Sequence, residues 1–172
     1  MYTQAKQYLL ERLKGAGLKT KPHTTRKALE RGQDSHVGAV LFENESFARN
    51  GSKTRYSDQT GAQKKRRKVF DRTLAFTVII GDYTDEAVEV MLESFLSDLD
   101  RGIMVAGNFV PIEVEGADWV DTDDSILKAK VAVQVKIRFD GGIYKDTDFA
   151  QLKELEIESV TKNNGKEPTD GD

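Results

Sequence analysis

An alternating strand pattern followed at once by a capped amphipathic helix constrains the fold of this chain more than any other feature. Within a strand predicted over residues 69–80, one face carries Phe70, Leu74, Phe76, Val78 and Ile80. Thr84 then offers an N-cap hydroxyl for a helix predicted over residues 84–101, with Gly102 as its left-handed stop. A strand and a helix that each have one apolar face must bury those faces against each other. The pattern therefore predicts a helix packed on a sheet.

The remaining elements follow from the same two periodicities. Helical spacing predicts a helix over residues 2–14 and a short turn that Thr24 or Thr25 caps and Gly32 ends. Strands are predicted at residues 37–47, 109–114, 126–139 and 155–160, with a turn at residues 140–142. We expect an α+β fold: a mainly antiparallel sheet with a long hairpin arm, packed against one or two helices on one face. Residues 1–161 are expected to form one domain, and residues 162–172 a disordered polar tail.

The segment 48–68 concentrates positive charge and has no clear periodicity. It contains one acid, Asp58, and eight basic residues: Arg49, Lys53, Arg55, Lys64, Lys65, Arg66, Arg67 and Lys68. The segment thus carries +7, and because the formal net charge is −3, the rest of the chain carries about −10. Loops this long are uncommon inside compact domains. Because strands flank it, we interpret it as a flexible, basic hairpin arm.

The composition gives little support to an enzyme. The chain has no cysteine and only two histidines, His23 and His36, which share no metal-binding spacing. No nucleophile elbow, dinucleotide fingerprint or P-loop occurs. An acidic group around Trp119 lacks the spacing of a calcium loop; its members are Asp118, Asp121, Asp123 and Asp124. We expect a soluble, intracellular, non-enzymatic protein with no cofactor, metal or membrane span.

Three interpretations of the basic arm remain open. It could neutralise nucleic-acid phosphates, although only Tyr56 offers a nearby ring for stacking. It could be a solvated arm, or it could dock on the acidic surface of an adjacent copy. For docking, the acidic residues around Trp119 are the expected acceptor. A further contact face is expected on the last long strand, at Lys128, Lys130, Lys136 and Arg138.

The order of elements resembles that of a known structural family. A strand at 38–47 precedes the arm, the return strand reads TLAFTVII over residues 73–80, and GDY at 81–83 leads into the capped helix. The chain then ends its last long strand with VAVQVKIRF at 131–139. In this order it resembles the tail terminator (tail completion) proteins of long-tailed bacteriophages and prophages, including minor tail proteins.

The resemblance implies a structural role in a virion tail, after assembly in the host bacterial cytoplasm. On assembly the protein would form a ring with copies of itself, expected to be hexameric, and the free chain could be a monomer. That ring would cap the tail-tube protein, end tube polymerisation and present the surface that joins the head–tail connector proteins. DNA would pass through the lumen without being read. Two alternatives remain, a nucleic-acid-binding module that uses the arm and a tail-tube subunit.

Overall fold

The computed structural model describes residues 1–32, 35–58, 60–120 and 131–149. Its fold is α+β and mainly antiparallel, which confirms the predicted fold class. The helices are α1 (Tyr2–Gly15), α2 (Arg26–Arg31) and α3 (Asp85–Ser97). The strands are β1 (Val37–Arg49), β2 (Lys53–Ser57), β3 (Gln63–Asp82), β4 (Gly102–Val105), β5 (Asn108–Val120) and β6 (Val131–Asp148).

The sheet is built around β3. Its strands follow the order β1-β3-β6-β5-β4 with antiparallel pairing, and β2 pairs with the first part of β3. The break between β1 and β2 is bridged, because Asn50 N donates to Val69 O and Lys68 N donates to Ser52 O, each at 3.0 Å. β1 and β2 therefore follow β3 almost as one strand. At about 3.3 Å per residue, the 20 residues of β3 span roughly 65 Å.

The main core lies between one face of the sheet and two helices, as predicted. α1 contributes Leu9 and Leu13, and α3 contributes Val88 and Phe95. The sheet contributes Leu74, Phe76, Val78, Ile80, Val133, Val135, Ile137 and Phe139. A smaller cluster joins Leu29 of α2 to Val37, Ala39, Leu41 and Ile79. The core thus rests on the alternation of β3 and β6 and on one apolar stripe of each long helix.

The helix starts agree with the sequence, but the end of α3 does not. Thr25 Oγ1 accepts from Ala28 N and Thr84 Oγ1 accepts from Ala87 N, each at 3.2 Å. α3 ends at Ser97, although the sequence predicted residue 101. The guanidinium of Arg12 binds Asp98 and Asp100 at 2.9 Å each, which draws this segment toward α1.

Gly102 is the first residue of β4, a strand that the sequence did not predict, and not a left-handed helix stop. A Cβ at this position would lie 2.5 Å from both the Phe109 ring and Val110 O. Glycine is therefore required by the close approach of β5. β5 is also longer than predicted, and Pro111 pairs with Gly102.

The prediction of a turn at residues 140–142 is wrong. Asp140, Gly141 and Gly142 lie inside β6 and pair with β3. A Cβ on Gly141 would lie 2.5 Å from Met1 Sδ, and one on Gly142 would lie 2.4 Å from Lys68 Cε. The two glycines leave room for those side chains, and β6 continues to Asp148.

Several predicted features lie outside the described residues. They are the start of the strand predicted at 126–139, the strand predicted at 155–160, the tail 162–172, and residues Asp121, Asp123, Asp124, Lys128 and Lys130.

Candidate interaction site: a basic arm with two faces

The basic segment forms a three-stranded extension of the sheet, where the sequence indicated a hairpin. We define the arm as β2, residues 63–68 of β3 and residues 144–148 of β6. β2 pairs with β3 from Lys53 opposite Arg67 to Ser57 opposite Gln63. β6 covers the other edge of β3, from Lys68 opposite Tyr144 to Lys64 opposite Asp148. Because side chains alternate along a strand, this register sorts the charges onto two faces.

On one face, which we call the paired face, each cation of β3 has a carboxylate partner. Lys64 binds Asp148, and its ammonium lies 3.8 Å from Asp58. Lys68 Nζ lies 2.6 Å from Asp71 Oδ1. Lys64, Arg66 and Lys68 are half-buried. These three cations therefore contribute to holding the arm together and have little capacity left for an anionic partner.

Arg66 is the centre of the paired face. Its Nε and Nη2 donate to the two carboxylate oxygens of Asp146, each at 2.7 Å, in the bidentate geometry that guanidinium favours. The guanidinium stacks on the Tyr56 ring at 4.6 Å and lies 5.8 Å from the Tyr144 ring. Its Nη1 donates to Asn108 Oδ1 at 3.0 Å, which ties the arm to the β4–β5 hairpin.

The carboxylates of the arm and its base are held in their charged forms. Hydrogen bonds from Arg66 lower the pKa of Asp146. The Thr60 hydroxyl lowers the pKa of Asp58, and Lys68 lowers the pKa of Asp71. In return, the hydrogen bonds to Asp146 raise the pKa of Arg66. The order of the arm is thus linked to the ionisation of these acids.

The opposite face, which we call the open face, carries Lys53, Arg55, Lys65, Arg67 and Lys145. All five side chains are exposed, and none forms an ion pair within residues 1–32, 35–58, 60–120 and 131–149. Lys53, Arg67 and Lys145 lie directly opposite one another on three adjacent strands. Like charges in that arrangement destabilise a sheet. The open face is therefore the strongest candidate for binding an anionic partner.

A shallow cleft of about 270 Å³ lies among the side chains of the open face. Its lining residues are Lys53, Lys65, Arg66, Arg67, Lys145 and Thr147. At the end of the face, the Phe149 ring lies 4.3 Å from Lys65 Nζ and 5.5 Å from the Arg55 guanidinium. The open face thus has a cationic concavity and one aromatic ring that cations already cover.

The other predicted contact residues are engaged within the chain where the structure describes them. Asp118 Oδ2 lies 2.8 Å from Lys136 Nζ. Arg138 binds Glu113, Glu115 and Asp140, and hydrogen bonding to Asp140 contributes most to raising its pKa. Arg49 stacks on Phe70 at 4.5 Å at the base of the arm. The described part of the predicted basic strand face is therefore a set of ion pairs between β5 and β6.

His36 and a carboxylate of β1, Glu45, have structural contacts. His36 Nδ1 lies 2.8 Å from Asp82 Oδ2, and His36 Nε2 accepts from Lys19 N at 3.0 Å. Glu45 pairs with Arg72. Within the described ranges, no three His, Cys, Asp or Glu side chains form a group that could hold a metal ion. The helices of the same ranges include none long and apolar enough to cross a membrane.

Sequence reasoning missed Lys145, Asp146 and Asp148, because a turn was predicted at residues 140–142. Continuing the alternation of β6 through the two glycines would have found them. Tyr144, Asp146 and Asp148 would then fall on one face, and Lys145 on the other.

Comparison of the chain with models of known protein families finds no match. Comparison with curated proteins also finds no matching relative.

Proposed function

We propose that this chain is a non-enzymatic structural subunit of a phage or prophage tail. It assembles with copies of itself as a ring that caps the tail tube, ends tube polymerisation and forms the head–tail joining surface. The observation that carries the proposal is the arm, a preformed projection that extends the sheet beyond its helix layer. The order of elements supports the same function.

The arm has the properties of an assembly contact. It reaches roughly 15–20 Å, the length of its five or six residues per strand. Charge pairs and stacked rings hold its shape, so its backbone is organised before a partner arrives. A preorganised element loses less conformational entropy on binding than a disordered one. The arm can therefore engage a neighbouring subunit at a low ordering cost.

Apolar side chains left exposed near the sheet edges offer further contact points. Phe47, at the base of the arm, is 52% exposed, and Trp119 at the end of β5 is 50% exposed. Aromatic residues of this kind are enriched at protein interfaces. A contact is heterologous when one patch of a subunit binds a different patch of its neighbour. Repeated heterologous contacts form a ring when the rotation between neighbouring subunits closes the circle.

The decisive experiment is size-exclusion chromatography with light scattering over a range of protein concentrations, followed by electron microscopy. We expect a discrete oligomer of ring shape. A chain that stays monomeric at every concentration, both alone and with tail tubes added, would contradict the proposed self-assembly. Open-ended filaments would instead identify a tail-tube subunit.

A shortened-arm variant tests whether the arm makes the contact. Residues 54–66 are replaced by an Asn-Gly turn between Lys53 and Arg67, which already face each other across the hairpin. Circular dichroism should show that the helix-covered core remains folded, while the oligomer is lost. Assembly equal to that of the wild type would show that the arm is not the contact.

A further inference from the structure

We propose that the open face of the arm binds the phosphate backbone of nucleic acid without reading its sequence. This inference goes beyond the proposed assembly function and does not depend on it. It rests on the separation of the cations between the two faces of the arm, since within the described residues those of one face are paired with carboxylates and those of the other are not.

The open face places its cations in a regular two-dimensional array. Neighbours on one strand, such as Lys65 and Arg67, are two residues apart, which gives a spacing of about 6.6 Å. Neighbours on adjacent strands lie about 4.8 Å apart in the hydrogen-bonding direction. The cleft of about 270 Å³ between them provides a concave seat for an anion. Bound phosphates would offset the electrostatic repulsion between Arg67 and the two lysines opposite it, Lys53 and Lys145.

The chemistry of the open face favours phosphate over an acidic protein surface. Stable protein interfaces usually have a desolvated apolar centre, and lysine is depleted there. The centre of this face has cations around Thr147 and, in the part of the chain that the structure describes, no apolar side chain, and three of its five cations are lysines. A phosphate backbone needs charge and hydrogen-bond donors but no apolar centre.

Recognition should not depend on base sequence. Among the described residues, the ring of Phe149 lies at the end of the open face. Arg55 and Lys65 already cover this ring, so little of its surface is available for stacking on a base. Contacts to phosphate position a nucleic acid but do not read it. The paired face cannot add to this contact, since Lys64, Arg66 and Lys68 are engaged by carboxylates.

The test is fluorescence anisotropy with a short labelled DNA duplex of arbitrary sequence, measured from about 50 to about 200 mM salt. Five phosphate contacts predict a slope of log K against log salt near −4.5, at about −0.9 per phosphate. Changing the duplex sequence should alter affinity less than about twofold. A slope near zero, or no binding at the lowest salt, would overturn the proposal.

Two variants with equal charge removal locate the site. The open-face variant carries Lys53→Gln, Arg55→Gln, Lys65→Gln, Arg67→Gln and Lys145→Gln. The control carries Lys14→Gln, Lys19→Gln, Lys21→Gln, Lys27→Gln and Arg31→Gln, at positions that are exposed but outside the arm. We expect the open-face variant to bind at least tenfold more weakly than the control. Equal loss in both variants would mean that net charge alone drives binding, which would overturn the proposal.

Poly-glutamate distinguishes nucleic acid from an acidic polypeptide. Competition by poly-glutamate as strong as that by DNA would assign the open face to an acidic protein and overturn the proposal. The oligomeric state of the open-face variant is measured separately by light scattering. Loss of DNA binding with intact assembly is the expected result, so the two proposals can fail independently.

Discussion

β3 and β6 run through two regions that are stabilised in different ways. In the body, their side chains are apolar and buried, as Phe76 and Val135 are, and two helices cover them. In the arm, the same strands carry Arg66, Asp146 and other charged residues that remain in contact with water. The hydrogen-bond ladder runs through both regions, with one β-bulge between Lys68 and Phe70, but the side-chain interactions change from apolar burial to ion pairs and stacked rings.

This difference shows that one sheet can combine a salt-insensitive core with a part whose order depends on solution conditions. Apolar burial is non-directional and does not depend on ionisation. Exposed ion pairs are weakened by salt and lost when either partner changes its charge. We therefore expect the body to set global stability and the arm to respond to pH and ionic strength.

The largest expected effect comes from removing a core ring. Phe76 is 1% exposed and packs against the rings of Tyr2, Phe42 and Phe139. Phe76→Ala should lower the free energy of unfolding by about 3–5 kcal/mol in urea titrations. Phe47→Ala removes the same side chain at a position that is 52% exposed, and it should cost much less. Equal losses would contradict the assignment of stability to the body.

Acidification should affect the arm before the body. The pKa values of Asp58, Asp71 and Asp146 are lowered in the folded state. Their contribution is therefore present above the unfolded pKa of about 3.9 and is lost as pH falls through the folded values. In an NMR titration from pH 7, arm resonances should stay unchanged to about pH 5 and shift below about pH 4. Loss of arm and body signals at one common pH would contradict this separation.

The smallest effect is expected from one exposed ion pair. Asp146→Asn removes the bidentate partner of Arg66, and it should change global stability by less than about 1 kcal/mol. Hydrogen exchange should nevertheless become faster at the arm amides. Asp118→Asn breaks an exposed pair with Lys136 in the body and is the matched control. Faster exchange in the arm of that control would show that the paired face does not act locally.

The sequence predicted the body well, because its signals are local. Each of these signals specifies a backbone conformation within a few residues. They are the N-caps at Thr25 and Thr84 and the alternation around Phe76 and Ile137. The hairpin arm was also predicted, from charge and from the flanking strands.

Features that depend on long-range contacts were missed. β6 passes through Gly141, where a Cβ would lie 2.5 Å from Met1 Sδ, and the carboxylates that follow α3, Asp98 and Asp100, bind Arg12 of α1. The pairing of charges across the strands of the arm could not be predicted either. This pairing depends on the register of Arg66 opposite Asp146, which lie 80 residues apart.

β3 and β6 run from the arm into the body and stay paired on both sides of a β-bulge between Lys68 and Phe70, which has a mechanical consequence. A force applied to the arm along its strands loads the backbone hydrogen bonds between β3 and β6 in parallel, in shear, and not one at a time. The same bonds continue into the core around Leu74 and Phe139, which lie opposite each other. The arm is therefore a lever that two continuous strands join to the body, with one β-bulge at the junction, and displacement of its tip is transmitted to the helix-covered core.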